Sequence, residues 1–327
     1  MSECEPLDIE AIVAEVNKSM KQTVMRIGND PDLALQLVPT SIGPLDEVLG
    51  GGIPRGRYCL VIGNFSTGKT FFCQRTIRAA QARGMSTAYI DTERAYNPDW
   101  FATSGVDVTR LPVASPTTGE DAFDVLHKLV ELGVDLVVVD SLAAMVPATE
   151  VEEGMSHATV GLQARLISQG LRKLFAVNKN SVVLLTNQIR PDISGARWGS
   201  PETVPGGKAQ EYWAWLTFKM RRRGWIMNHK EAKDQCRVGF NMVFEITKSK
   251  QCAPYQNIEV PFFFTGKLDV LQTVVDSAIE RKVIDQKGAV YNYHEQKFVG
   301  RQKLIDWLTE TEGVEDALWQ EVQDAAR

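Results

Sequence analysis

Residues 63–70 read Gly-Asn-Phe-Ser-Thr-Gly-Lys-Thr, the spacing G-x-x-x-x-G-K-[ST] of a phosphate-cradling loop. Each residue type has a task in that chemistry. The backbone N–H groups of Gly63, Asn64, Phe65, Ser66, Thr67 and Gly68 can ring a phosphate where a helix begins, with Phe71 just inside it. Lys69 reaches β- and γ-phosphates, and the Thr70 hydroxyl faces Mg2+. The plain alternative is a glycine-rich turn that binds nothing. The flanks favour the loop. Tyr58-Cys59-Leu60-Val61-Ile62 is a short apolar run of strand type, and Thr70 to Gln81 contains no Gly or Pro and reads as a helix.

Three more strand ends carry residues suited to phosphoryl transfer. Asp91-Thr92-Glu93 follows the second strand, and Glu93 is placed to activate water as a general base. Leu136-Val137-Val138-Val139-Asp140 has the form of a strand whose terminal Asp holds Mg2+. Thr186-Asn187-Gln188 ends the fourth, where Gln188 can sense a γ-phosphate or orient water. Each has a bland counterpart. An acid after a strand is often a helix N-cap, and a terminal Gln is often just solvated. Their joint placement behind one phosphate loop is what favours chemistry.

The elements that must position these residues alternate. Strands are predicted at 58–62, 87–90, 136–139 and 182–186, mostly apolar, with helices between them. This is the pattern of an α/β fold with a central, mostly parallel sheet, whose ligands bind outside the carboxyl ends of its strands. Residues 212–220 and 240–247 are further strand candidates, with a basic exposed hairpin or loop at 222–237. Ile9, Ile12, Val13, Val16 and Met20 fall at helical spacing, so 8–21 is predicted as an amphipathic helix. It either packs on its own domain or docks on a neighbouring protomer. From residue 266 the pattern changes to a helix at 270–281, a strand pair at 289–293 and 297–299, and helices at 301–309 and 314–325. The expected organisation is an N-terminal helix and linker at 1–36, a phosphate-binding α/β core at 37–265 and a small α+β domain at 266–327.

Composition sets bounds. The 327 residues are 44% hydrophobic and 24% charged, which is ordinary for a globular chain and excludes disorder as the default. No stretch approaches the ~18 apolar residues of a membrane span, and no membrane partner is expected. The acidic start, Met-Ser-Glu-Cys-Glu-Pro, lacks the apolar core of a signal peptide. Five scattered cysteines without a C-x-x-C argue against zinc and against a disulfide scaffold, and favour a reduced, cytoplasmic protein. The net charge of −5 gives no global attraction to nucleic acid, so any such site must be a local basic surface.

At this point the residues resemble the RecA family of recombinases in its bacterial or phage form. The likeness is carried by Lys21-Gln-Thr-Val-Met-Arg-Ile-Gly28, Tyr89-Ile-Asp-Thr-Glu93 with Asn97-Pro98, Ser115-Pro-Thr-Thr-Gly-Glu120 and Val138-Val-Asp-Ser141. It continues through Asn187-Gln-Ile-Arg190, Pro201-Glu-Thr203 with Gly206-Gly207, Lys248-Ser-Lys250 with Ala253-Pro254, and Gly288-Ala-Val-Tyr291. It runs from about residue 20 to 310. It implies a RecA-like ATPase core with an N-terminal helical arm, and a helical homo-oligomeric filament on single-stranded DNA. ATP would lie between protomers, and the filament would pair its strand with homologous double-stranded DNA and exchange strands. Glu93 takes the family's catalytic-base position and Gln188 its γ-phosphate-sensing position. Lys248 and Lys250 match the lysines that reach the neighbour's ATP. Trp100 falls where the family stacks an aromatic on adenine, beside Asn97.

Two segments are expected to touch DNA. Residues 190–205 lack hydrophobic periodicity and carry Arg190, Arg197 and Trp198, suited to neutralising phosphate and stacking on bases. The resemblance adds Ile193, Gly206 and Gly207 to that loop. Gln188 directly precedes it, so nucleotide binding can order it. The first loop lies near 151–160. In the helix after it Val160, Ala164, Ile167, Leu171 and Leu174 share a buried face, while Arg165 and Arg172 are seven apart on an adjacent one. That face is either solvated with ion pairs or, as the resemblance implies with Ser168 included, a phosphate contact.

The chain departs from the family pattern in places. Glu150, Glu152 and Glu153 make the first loop acidic, Arg197-Trp198 stands where an apolar wedge is expected, and 306–324 carries seven carboxylates in place of a long acidic tail. The run Lys219, Arg221, Arg222, Arg223 can meet duplex DNA or simply be solvated. The leading expectation is a DNA-dependent ATPase that catalyses strand exchange. Its rivals are an ATP-gated DNA-binding scaffold or mediator without strand exchange, and a helicase on the same core.

Overall fold

The structure is a computed structural model. It describes residues 8–153, 161–191, 202–227, 236–266 and 270–311, together with 314, 317, 318, 321, 322 and 325. The chain divides into two compact units, Met1–Gln36 and Leu37–Arg327. The first is built around α1 (Ile9–Met20), capped by Asp8, whose carboxylate accepts the N–H groups of Glu10 and Ala11, and closed by Lys21 in the left-handed region. None of the α1 side chains is buried.

The second unit holds an eight-stranded sheet. Its strands in chain order are β1 (Arg57–Gly63), β2 (Thr87–Asp91), β3 (Val113–Ala114), β4 (Leu136–Asp140), β5 (Val182–Gln188), β6 (Leu216–Met227), β7 (Arg237–Ser249) and β8 (Asn257–Phe263). They lie side by side as β8-β7-β6-β1-β5-β4-β2-β3. The six from β6 to β3 are parallel, and β7 and β8 extend the sheet antiparallel. Helices α2 (Gly43–Val48), α3 (Lys69–Ala82), α4 (Pro98–Thr103), α5 (Gly119–Glu131), α6 (Ala148–Glu153), α7 (Leu162–Val177) and α8 (Ala209–Trp213) connect them.

The strands are apolar almost throughout because both faces are covered. Alternate residues feed two cores. Cys59 and Val61, Leu136 and Val138, Val182 and Leu184 face α3 through Phe72, Cys73 and Ile77. Leu60 and Ile62, Val137 and Val139, Val183 and Leu185 face α5 and α7 through Phe123, Leu126, Ile167 and Leu171. A third core joins α9 (Val270–Glu280), a three-stranded sheet of β9 (Asp285–Lys287), β10 (Val290–Tyr293) and β11 (Gln296–Val299), and α10 (Arg301–Glu310).

The α/β class and the four leading strands match the sequence expectations. Two details differ, and one open alternative is decided. Residues 212–213 are helical rather than strand, because buried Gln210 ties α8 to the carbonyls of Pro205 and Gly207. The basic segment at 222–237, expected as a hairpin or loop, takes the hairpin form in its described residues, since β6 and β7 pair antiparallel from Leu216–Ser249 out to Met227–Arg237. The small sheet has a third strand, β9, which its wholly exposed residues could not signal.

One buried acid makes a testable stability device. Asp46 in α2 is 6% exposed and accepts both the N–H and the hydroxyl of Thr40 at 2.8 Å. Burial pushes its carboxyl up to about 7, against the lowering effect of Thr40 and Arg83. In the unfolded chain the group titrates near ~4, so the folded form holds a proton that the unfolded form releases. Stability from this group is therefore greatest at low pH and is lost as pH rises toward 7, by at most about 4 kcal/mol. Asp46→Asn should melt at a higher temperature than the unaltered chain at pH 8, and the gap should shrink toward pH 5. A gap that does not vary with pH would remove the assignment.

Candidate active site and nucleic-acid interface

The carboxyl ends of β1, β2, β4 and β5 open into one cleft of about 420 Å3. Lys69, Thr70, Glu93, Asp140 and Gln188 all line it. The loop after β1 turns on Gly68 at φ 92° before α3 begins. That φ is strained for any residue with a side chain, and a Cβ at Gly68 would also meet Met242 Sδ at 2.5 Å and push that side chain aside. At Gly63 a Cβ would meet the Met220 carbonyl oxygen at 2.6 Å. Gly68→Ala should therefore distort the loop and weaken ATP binding by about tenfold or more, as one to two kcal/mol of backbone strain and the displaced Met242 together imply. Titration with a fluorescent ATP analogue would read this, and unaltered affinity would deny the loop its part in binding.

Inside the cleft the side chains form two linked groups. Asp140 is 6% exposed, and its Oδ2 accepts the Thr70 hydroxyl at 2.7 Å and the Tyr89 phenol at 2.8 Å, while Oδ1 accepts the Thr186 hydroxyl. Burial, and then the Asp140 charge, raise the Tyr89 phenol far above its ordinary range, so it remains a donor. Glu93 stands exposed on the turn after β2, and its Oε1 accepts Ser141 Oγ at 2.6 Å and Gln188 Nε2 at 2.9 Å. Lys69 donates to the carbonyls of Gly63 at 3.0 Å and Asn64 at 2.9 Å. Burial lowers its pKa, with Asp140 and Glu93 acting in the opposite direction.

The second strand end separates two acids that look alike in sequence. Asp91 is the turn-capping one, accepting the N–H groups of Ala95 and Tyr96. Glu93 is the one that faces the cleft. Asn97 also has a local task, since its Oδ1 caps α4 through the Trp100 N–H. Asn97 is not among the residues lining the cleft, whereas Trp100 forms part of its wall. Phe240, Phe262 and Phe264 complete that wall and were not among the sequence candidates. They arrive from β7 and the end of β8, and only the antiparallel extension of the sheet brings them beside the P-loop. The run Pro261-Phe262-Phe263-Phe264 was the one signal of them in the sequence.

Lys248 and Lys250 lie elsewhere. Lys248 is paired with Thr217, which is level with Leu60, so it sits about 10 Å back along the strand from Gly63 and two strands across. Its ammonium donates to the carbonyls of Glu211 and Tyr212 at 2.6 and 2.7 Å, at the end of α8. Burial and the nearby Lys250 lower its pKa. Lys250 lies over the Trp215 ring, 5.6 Å from its centre.

Of the DNA candidates, Arg165 and Arg172 are exposed on α7, with Ser168 between them, and Ile167, Leu171 and Leu174 are buried beneath. Arg190 is exposed and begins a short pairing with Thr203. Gly206 and Gly207, at φ 92° and 76°, pack on that same helix, where a Cβ on Gly206 would meet Ile167 Cδ1 at 2.4 Å. Ile193, Arg197 and Trp198, and most of the expected first loop (154–160), lie outside the described residues.

Among the described residues no three or more His, Cys, Asp or Glu side chains are grouped to hold a metal by themselves. The Thr70–Asp140 pair still suits Mg2+, which takes few protein ligands and keeps waters and phosphate oxygens. No helix among the described residues is long and apolar enough to cross a membrane.

A parallel sheet with a P-loop after its first strand, an acid at the next strand end and an Asp two strands away defines a P-loop nucleotide-binding ATPase. The family model described as the RecA N-terminal domain matches residues 7–269. The protein RecA of Thermus aquaticus is 37% identical over 317 residues, covering 95% of this chain and 92% of that protein. The protein RecA of Chlorobaculum tepidum is 37% identical over 310 residues, covering 93% and 88%. That of Lactobacillus delbrueckii subsp. bulgaricus is 34% identical over 325 residues, covering 98% and 96%. The chain belongs to the RecA family. Its function is that of a recombinase in DNA recombination and repair, a DNA-dependent ATPase involved in strand exchange.

Proposed function

We propose that the chain hydrolyses Mg·ATP in the cleft behind β1, with Glu93 as general base, and that its neighbour in a helical filament completes that site with Lys248 and Lys250. The observation that carries this reading is the separation of the two groups. Glu93, Gln188, Asp140, Lys69 and Thr70 share one cleft, while the two lysines lie at the other end of β7 and cannot reach it. A cation supplied in trans stabilises charge that develops on the transferring phosphate.

Each residue then has a stated part. Lys69 and the loop N–H groups hold the phosphates, and Thr70 and Asp140 hold Mg2+, which neutralises charge on the β- and γ-oxygens. Glu93 Oε1 already accepts two hydrogen bonds, leaving Oε2 for a water. Gln188 gives its amide to Glu93, and a γ-phosphate oxygen competes for the same donor. Exchange of that bond would shift the start of the loop carrying Arg190, which ties nucleotide state to DNA affinity. Trp100 and the phenylalanine wall stack the base.

Single-stranded DNA is the proposed partner of Arg165, Ser168, Arg172, Arg190, Gly206 and Gly207, together with Ile193, Arg197 and Trp198. Homologous double-stranded DNA is the second substrate. The arm at 1–36 is proposed to dock on the next protomer, in support of which α1 buries none of its side chains. The ATPase core at 37–265, the small domain at 266–327 and a cytoplasmic site of action complete the reading.

The test is ATP hydrolysis with and without single-stranded DNA, with electron microscopy of the same mixture. DNA-stimulated turnover with helical filaments is expected. Rings, or turnover indifferent to DNA, would overturn the interface-located site.

A further inference from the structure

Asp140 ends β4 in the middle of the sheet, and both neighbouring strands donate a hydroxyl to it. Thr186 of β5 serves Oδ1, and Tyr89 of β2 serves Oδ2 at 2.8 Å. The register explains the reach. Asp91 stands opposite Asp140, so Tyr89 lies two residues back on the same face of the sheet. Thr70 donates to that same Oδ2 at 2.7 Å. The two donors differ in kind. Thr70 belongs to the P-loop, where its hydroxyl is the one that turns to a metal. Tyr89 is anchored, with its ring 3% exposed, edge-on to Phe101 at 5.0 Å and beside Tyr96 at 6.1 Å. Neither the P-loop motif nor the strand-end acid requires a tyrosine there, and a phenylalanine would fill the same core.

We propose that Tyr89 is a positioning residue of the metal site, whose phenol keeps Asp140 Oδ2 aimed into the cleft when Thr70 turns its hydroxyl to Mg2+. The inference rests on the reading of Thr70 and Asp140 as the Mg2+ holders. Hydrogen-bond partners behind a metal-holding carboxylate alter metal affinity by about 10–100-fold. Tyr89→Phe removes the phenolic oxygen and keeps the ring, so the core remains filled.

The experiment titrates Mg2+ into the full chain saturated with ADP, read by melting temperature and by calorimetry. Tyr89→Phe should need about tenfold more Mg2+ for half-maximal stabilisation, the lower end of the range for such partners. Its ADP affinity in EDTA should match that of the unaltered chain, and each Mg2+ titration is read against that variant's own melting temperature without ligand, which the lost buried bond to Asp140 lowers. An unmoved Mg2+ midpoint, or an equal loss of ADP affinity in EDTA, would overturn the inference and leave Tyr89 as packing. Asp140→Asn separates the two levels. If it too leaves the midpoint unmoved, the reading of Asp140 fails. If it moves the midpoint while Tyr89→Phe does not, the inference about Tyr89 alone fails.

Discussion

Glu93→Gln is expected to slow ATP hydrolysis by about 10²–10⁴-fold with ATP binding retained. The substitution keeps the shape of the side chain. Its carbonyl oxygen can still accept from Ser141 and Gln188, the two bonds that hold Glu93 at the mouth of the cleft. What it removes is the basic oxygen that would take a proton from water. Single-turnover hydrolysis alongside equilibrium ATP binding checks this. Hydrolysis at the unaltered rate would take the base role from Glu93. Binding lost together with hydrolysis would make it a structural support of the cleft.

Lys248→Ala is the second large effect. DNA-stimulated hydrolysis should fall by about 10³-fold, the lower end of what a cation supplied in trans contributes. Folding should survive. The ammonium caps two carbonyls at the end of α8, an interaction of about 1 kcal/mol at a helix C-terminus. The decisive form of the experiment mixes two inactive chains. A Lys248→Ala protomer keeps Glu93, and a Glu93→Gln protomer keeps Lys248. If neighbours complete each other head to tail, about one interface in four in an equal mixture carries both intact groups. Activity should then return on mixing and disappear on dilution below the assembly concentration. A mixture as inactive as its components would exclude the shared site.

The α/β class and the family were legible in the residue order because their signals are local. The P-loop lies within eight consecutive residues, and each leading strand is a continuous apolar run before a polar tip. Residues 212–213, the end of α8, read as the start of a strand because the bonds that set the helix come from Gln210 to the carbonyls of Pro205 and Gly207, contacts that apolar patterning does not carry. Strand β9 was missed because it is exposed and short. At the site, Glu93 was legible as the candidate base, whereas the separate task of Asp91, accepting the Ala95 and Tyr96 amides, appears only in the turn after β2.

By itself, then, the sequence determined the class of fold, the phosphate loop and the family, since each depends on residue types at fixed short spacing. Only the tertiary structure decided which side chains meet. Ser141 and Gln188 reach Glu93 across 48 and 95 residues, and Tyr89 reaches Asp140 across 51. Cross-strand register places Lys248 level with Leu60, away from its own P-loop, and the antiparallel β7 and β8 carry three phenylalanines to the cleft wall. Register follows from the pairing and burial of whole strands, and no local spacing encodes it.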